Sequence, residues 1–168
     1  GGGDPRPLTH LEKGENTQRW PELLPDSTAM LFAAGTAAGQ VTDLRIAVQP
    51  IGTGERRDII PGGTNARYAP SGHLIYVQGG SLMAVPFDPR RLEVKGTAVP
   101  VVEGVLYSPR SAAAQYSFSA TGSLAYVTGR EVTQRRLVWV TRNGTEQPVA
   151  APARDYGAPR LSPDGARV

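Results

Sequence analysis

Four stretches decide how this chain reads: Leu23-Leu24-Pro25-Asp26-Ser27, Tyr68-Ala69-Pro70-Ser71-Gly72, Phe118-Ser119-Ala120-Thr121-Gly122 and Leu161-Ser162-Pro163-Asp164-Gly165. Each runs from a large apolar residue through a spacer to Pro or Ala, then a small polar residue, then Gly or Ser. Aligned on the Pro or Ala they fall at 25, 70, 120 and 163, in steps of 45, 50 and 43 residues. Such a stretch is built to turn. Proline presets φ for an early turn position, Asp, Ser or Thr bonds back to the backbone, and Gly accepts positive φ. Pro25, Asp26, Pro70, Ser71, Gly72, Thr121, Gly122, Pro163, Asp164 and Gly165 are therefore read as structural turn residues.

The flanks agree. After three of the turns comes a short apolar run: Ala29–Phe32, Leu74–Val77 and Leu124–Val127. A second run follows in each: Leu44–Val48, Leu82–Val85 and Leu137–Val140. β-Branched and aromatic residues at these lengths predict strands. Gln78-Gly79-Gly80-Ser81 and Arg142-Asn143-Gly144-Thr145 read as tight hairpin connections. Phe87-Asp88-Pro89-Arg90 reads as a looser turn. A fourth, weaker run closes each unit, at Asp58–Ile60, Ala98–Val102 and Gln147–Ala150. Prolines in two of these runs suit an edge strand, where a missing N–H is tolerated.

Four short strands per period of this length make the blade of a β-propeller. A sandwich or barrel would explain strands and turns, but not one turn recurring at one period. The expected fold is all-β, a partial propeller of four-stranded antiparallel blades. Residues 1–16 are the end of a preceding blade and a linker, with Pro5-Arg6-Pro7-Leu8-Thr9 similar to an outer strand. Three blades follow at 17–62, 63–113 and 114–153, and 154–168 open a further, truncated one. The start, Gly1-Gly2-Gly3-Asp4-Pro5, reads as a cut inside a longer chain.

Composition fits. Gly and Pro supply 35 of 168 residues, which disfavours long helices. No apolar run is long enough to cross a bilayer as a helix. There is no cysteine, hence neither disulfide nor thiolate site. The net charge of +3 rests on 16 Arg and 2 Lys. The Arg residues are scattered, in pairs at most, which argues against a nucleic-acid surface.

The turn motif, clearest at Leu161-Ser162-Pro163-Asp164-Gly165, resembles the WD-like repeat of the TolB type. Three longer stretches, Arg19–Asp26, Gly80–Asp88 and 155–165, are similar to the C-terminal propeller of multi-domain bacterial Ser/Thr protein kinases. Related blades cap prolyl-oligopeptidase-type serine peptidases, and TolB-like proteins stand alone in the periplasm. The resemblance implies a non-catalytic module for protein–protein interaction or ligand sensing, on the periplasmic or extracytoplasmic face. Its partners would be a protein or small ligand and the remaining blades of the parent protein.

Catalytic chemistry finds no foothold. His10 and His73 are the only histidines, and no Gly-x-Ser-x-Gly elbow is present. His73 follows a turn Gly and reads as a surface histidine. Gly35-Thr36-Ala37-Ala38-Gly39-Gln40 lacks the Lys of a phosphate cradle and reads as a loop. No kinase signature, paired carboxylates or calcium loop occurs, so catalytic, cofactor and metal residues are expected to be none. Trp20, Tyr68 and Tyr116 precede the turns. They either pack between blades or form an interaction surface, where Trp and Tyr dominate binding energy.

Overall fold

The computed structural model describes residues 3–36, 43–52, 54–129, 134–154, 156–157, 159–165 and 167. Much of the Gly35–Gln40 loop, at 37–40, lies outside them, as do 155 and 158 of the third kinase-like stretch. The described residues form antiparallel β-sheets of two to five strands and no helix. The chain divides into two compact units, residues 1–130 and 131–168.

In the first unit, β1 (Thr17–Leu23), β2 (Ala29–Gly35), β3 (Arg45–Pro50) and β4 (Arg57–Pro61) make a four-stranded sheet in chain order. The second sheet follows with β5 (Thr64–Ala69), β6 (His73–Gln78) and β7 (Ser81–Asp88). Both β8 (Glu93–Val94) and β9 (Val99–Val102) then pair with β7. β9, which carries Pro100, sits at the edge, as a strand lacking an N–H should. The link Gln78–Ser81 has φ of 60° at Gly79 and 81° at Gly80. Only glycine adopts that pair readily, and it matches the right-handed strand twist. A short hairpin of β10 (Tyr116–Phe118) and β11 (Leu124–Tyr126) completes the unit. The second unit holds the hairpin β12 (Val138–Val140) and β13 (Glu146–Pro148).

Alternation along β2 and β6 buries both sides of each strand. Leu31, Ile46 and Val48 of the first sheet pack against Leu74, Tyr76 and Val85 of the second, with all six 0–2% exposed. β5 lies across β1 and β2. At the crossing from β4 to β5, Gly63 is so hemmed in that a Cβ would stand 2.7 Å from Ile46 Cδ1 and 2.9 Å from the Tyr76 ring. The other side of the second sheet, through Val77 and Leu82, packs on Val105, Tyr107 and Tyr116. Residues 1–130 thus stack sheet on sheet, with β10–β11 as the third layer.

Two details differ from the sequence reading, and a third agrees with it. The described residues 3–16 form no strand; they run across the first sheet, tied by side-chain hydrogen bonds such as Gln49 Nε2 to Leu8 O at 2.6 Å. The prolines at 5 and 7 leave gaps in any ladder this segment could offer. The Asn143-Gly144 turn starts at Thr141, whose carbonyl accepts from Gly144 N at 2.9 Å, and only Gly144 of the turn has positive φ. It is a three-residue connection between paired Thr141 and Thr145, because the Asn143 side chain engages Thr145 locally. The looser turn at Phe87–Arg90 leads into β8, with Asp88 Oδ1 accepting from the amides of Arg90 and Arg91.

Candidate functional site: the cleft between two turns

The four motif stretches share one hydrogen bond. The amide of the fourth turn residue donates to the carbonyl of the first: Ser27 to Leu24 at 2.8 Å, Gly72 to Ala69 at 2.9 Å, Gly122 to Ser119 at 3.1 Å and Gly165 to Ser162 at 2.8 Å. That fourth residue is left-handed in each, with φ of 57°, 81°, 94° and 69°. Glycine occupies it three times; Ser27 is the exception, at a steric penalty. The small polar residue lies near a partner two positions away. Asp26 accepts from Thr28 N at 3.1 Å and Thr28 Oγ1 at 2.7 Å, which lowers its pKa below the ordinary carboxylate value. Ser119 Oγ meets Thr121 Oγ1 at 2.9 Å, and Ser71 Oγ meets His73 Nδ1 at 3.2 Å. His73 also sits 3.0 Å from the Ser71 carbonyl, in a local turn contact.

Two of the turns come together. Pro70 and Ser71 face Thr121 and Gly122 across a cleft of about 540 Å³. Its walls are Ile75, Leu82 and Val101 of the second sheet with Phe118 and Leu124 of the hairpin. The turn hydroxyls of Ser71, Ser119 and Thr121 stand at the same opening. An apolar hollow with a few polar groups at its lip has the make-up of a site for an apolar group. Pro25 and Asp26 are exposed elsewhere in the first unit, and Pro163, Asp164 and Gly165 form their own turn in the second.

The aromatic candidates separate. Trp20 is 38% exposed, and its indole N–H donates to the Ser111 carbonyl at 3.0 Å. Tyr68 is half-buried, its ring edge-on to Phe87 with centroids 6.3 Å apart. Tyr116 lies between the second sheet and the hairpin. Its hydroxyl donates to the carbonyls of Asn65 and, at 3.1 Å, Ile75, and burial pushes its pKa well above the ordinary tyrosine range. Tyr68 and Tyr116 thus serve internal packing, which leaves Trp20 as the surface aromatic of the three.

One constellation escaped the motif reading. Glu22, Arg67 and Ser117 all lie three residues before the Pro or Ala of their repeats. Arg67 reaches Glu22 at 3.5 Å and Ser117 Oγ at 3.3 Å, and stands 4.8 Å from the Phe118 ring centroid. The same position in three successive repeats is therefore adjacent in space. A second regularity lies two residues earlier: Trp20 and Asn65, each five before the proline, are left-handed at 56° and 54° and sit in the bulges of β1 and β5. The spacings 22–67–117 and 20–65 were the available signal.

Among the described residues, no group of three His, Asp or Glu could hold a metal ion, and no helix is long and apolar enough to cross a membrane. Comparison with protein-family models, curated proteins and solved structures returns no match.

Proposed function

We propose that the chain is a run of TolB-type β-propeller blades and acts as a non-catalytic binding module of a larger bacterial protein, such as a Ser/Thr kinase. Three features support the propeller reading. Consecutive sheets are meanders, the turn that follows the first strand keeps one geometry, and Glu22, Arg67 and Ser117 set the first strands side by side. A rigid stack that displays loops at one rim is a common way to present a binding surface.

The observation that carries the binding reading is the apolar cleft rimmed by Pro70, Ser71, Thr121 and Gly122. It would take an apolar side chain of a protein partner, or a small apolar ligand, with the turn hydroxyls setting orientation. The experiment is a fragment screen followed by protein-detected NMR. Bound fragments should shift the amides of Ser71 and Thr121 together, and Val101→Asp should remove the response. Shifts confined to other surfaces would reject the cleft as the site.

A further inference from the structure

The turn between β12 and β13 holds a reactive pair of neighbours, Asn143 and Gly144, and every group involved lies within Thr141–Thr145. The Asn143 side chain is the hub of the turn. Its Oδ1 accepts from Thr141 Oγ1, from Thr145 Oγ1 at 3.1 Å and from Thr145 N at 3.4 Å. Thr141 Oγ1 accepts from Thr145 N at 3.1 Å. Gly144 N donates to Thr141 O at 2.9 Å, and Gly144 is left-handed with φ of 83°. All five residues are exposed to water.

Two halves of an intramolecular reaction therefore sit side by side. Gly144 N becomes a nucleophile once it loses its proton, and glycine has no side chain to shield it. Asn143 Cγ is the electrophile. The step needs no reagent but water. Gly144 N bonds to Cγ, the Cγ–Nδ2 bond breaks, and Nδ2 takes up the proton and leaves as ammonia. Water then opens the cyclic imide. Attack at Cγ gives aspartate; attack at the main-chain carbonyl carbon of residue 143 gives isoaspartate. The turn opposes the first step, because ring closure requires the reacting atoms to be aligned. While Gly144 donates to Thr141 O, the lone pair left by its proton faces Thr141 O and not Cγ. The donors on Oδ1 fix the side chain in that same closed geometry.

We propose that Asn143 is a self-modification site gated by its own turn: it passes through a cyclic imide with Gly144 to isoaspartate when the Thr141–Gly144 hydrogen bond opens. The conversion runs one way in water, and it removes what closes the hairpin. Isoaspartate carries the main chain through Cγ, which lengthens the connection by one atom. It also sets a carboxylate where the amide of Asn143 stood, three residues from Glu146. A longer connection no longer matches the register that places Val140 opposite Glu146. The second unit thus contains a slow, water-driven release of β12 from β13. It depends neither on the propeller reading nor on what the cleft of the first unit binds.

The test keeps the full, unaltered chain at mildly alkaline pH and body temperature, and follows it by peptide mapping with fragmentation that separates isoaspartate from aspartate. Asn16 and Asn65, followed by Thr17 and Ala66, are the internal references. Conversion at Asn143 should outpace both in the folded chain. In guanidinium chloride it should run about fivefold faster still, the equilibrium weight of one turn hydrogen bond. Val140 and Glu146 form the pair next to the hydrogen-bonded Thr141 and Thr145, so their α-protons lie close together. That α-proton Overhauser contact should vanish in the converted chain, isolated by ion exchange. Conversion at Asn143 no faster than at Asn16 would overturn the proposal. Equal rates in the folded and denatured chains would overturn the gate, and an isoaspartate chain that keeps the Val140–Glu146 contact would overturn the release.

Discussion

Gly63 stands where the chain crosses from the first sheet to the second, with Ile46 on one side and Tyr76 on the other. Added volume has nowhere to go, since both neighbours are buried and 0–2% exposed. Gly63→Val should therefore lower the unfolding free energy by roughly 1–3 kcal/mol, read from the midpoint of urea denaturation. Tyr116 works at the next layer. Its single hydroxyl proton is shared between the carbonyls of Asn65 and Ile75, and Tyr116→Phe removes that donor. The expected loss is about 1–3 kcal/mol by the same measurement. Ser27 offers the opposite sign. It holds a left-handed φ of 57° where the other three turns have glycine. Ser27→Gly relieves a steric conflict of about 1 kcal/mol and should raise the denaturation midpoint.

At the scale of elements, the strands were the legible part. The runs Ala29–Phe32, Leu74–Val77 and Leu82–Val85 lie within β2, β6 and β7, because β-branched and aromatic residues between Gly and Pro leave few other conformations. Two features were not legible. A bulge adds one residue without any residue type marking it, so the left-handed Trp20 and Asn65 needed coordinates. The first turn's extra residue, Thr28, shifts which side chains of β2 face the second sheet, and sequence alignment on the proline puts them on the wrong face. Of the candidate site, the turns themselves could be read, but not their meeting across a cleft: it depends on how one sheet stacks on the next. The clasp of Arg56 on Glu15 was equally hidden, since the two lie 41 positions apart. Its energetics have a clear sign. The Arg56 hydrogen bonds hold the Glu15 carboxyl at about 2, against an ordinary value of 4.5. A depressed carboxylate contributes stability above the ordinary pKa and loses it as pH falls through the folded one. The protection factors of the Asn16 to Gln18 amides, taken against intrinsic exchange at each pH, should fall between about pH 4.5 and 2 in the unaltered chain, and Glu15→Gln should flatten that fall.

Across the larger unit, successive repeats stack sheet upon sheet, with equivalent positions next to one another. Turn geometry, bulge position and the Glu22–Arg67–Ser117 alignment each come from a different part of the repeat, and each returns the same correspondence. The most direct measurement is a nuclear Overhauser spectrum of the folded chain with labelled isoleucine methyls. Contacts are expected from the Ile46 methyl to the Tyr76 ring and from Ile75 to the Tyr116 ring, one for each interface of the stack. A well-dispersed spectrum in which both contacts are missing would contradict it.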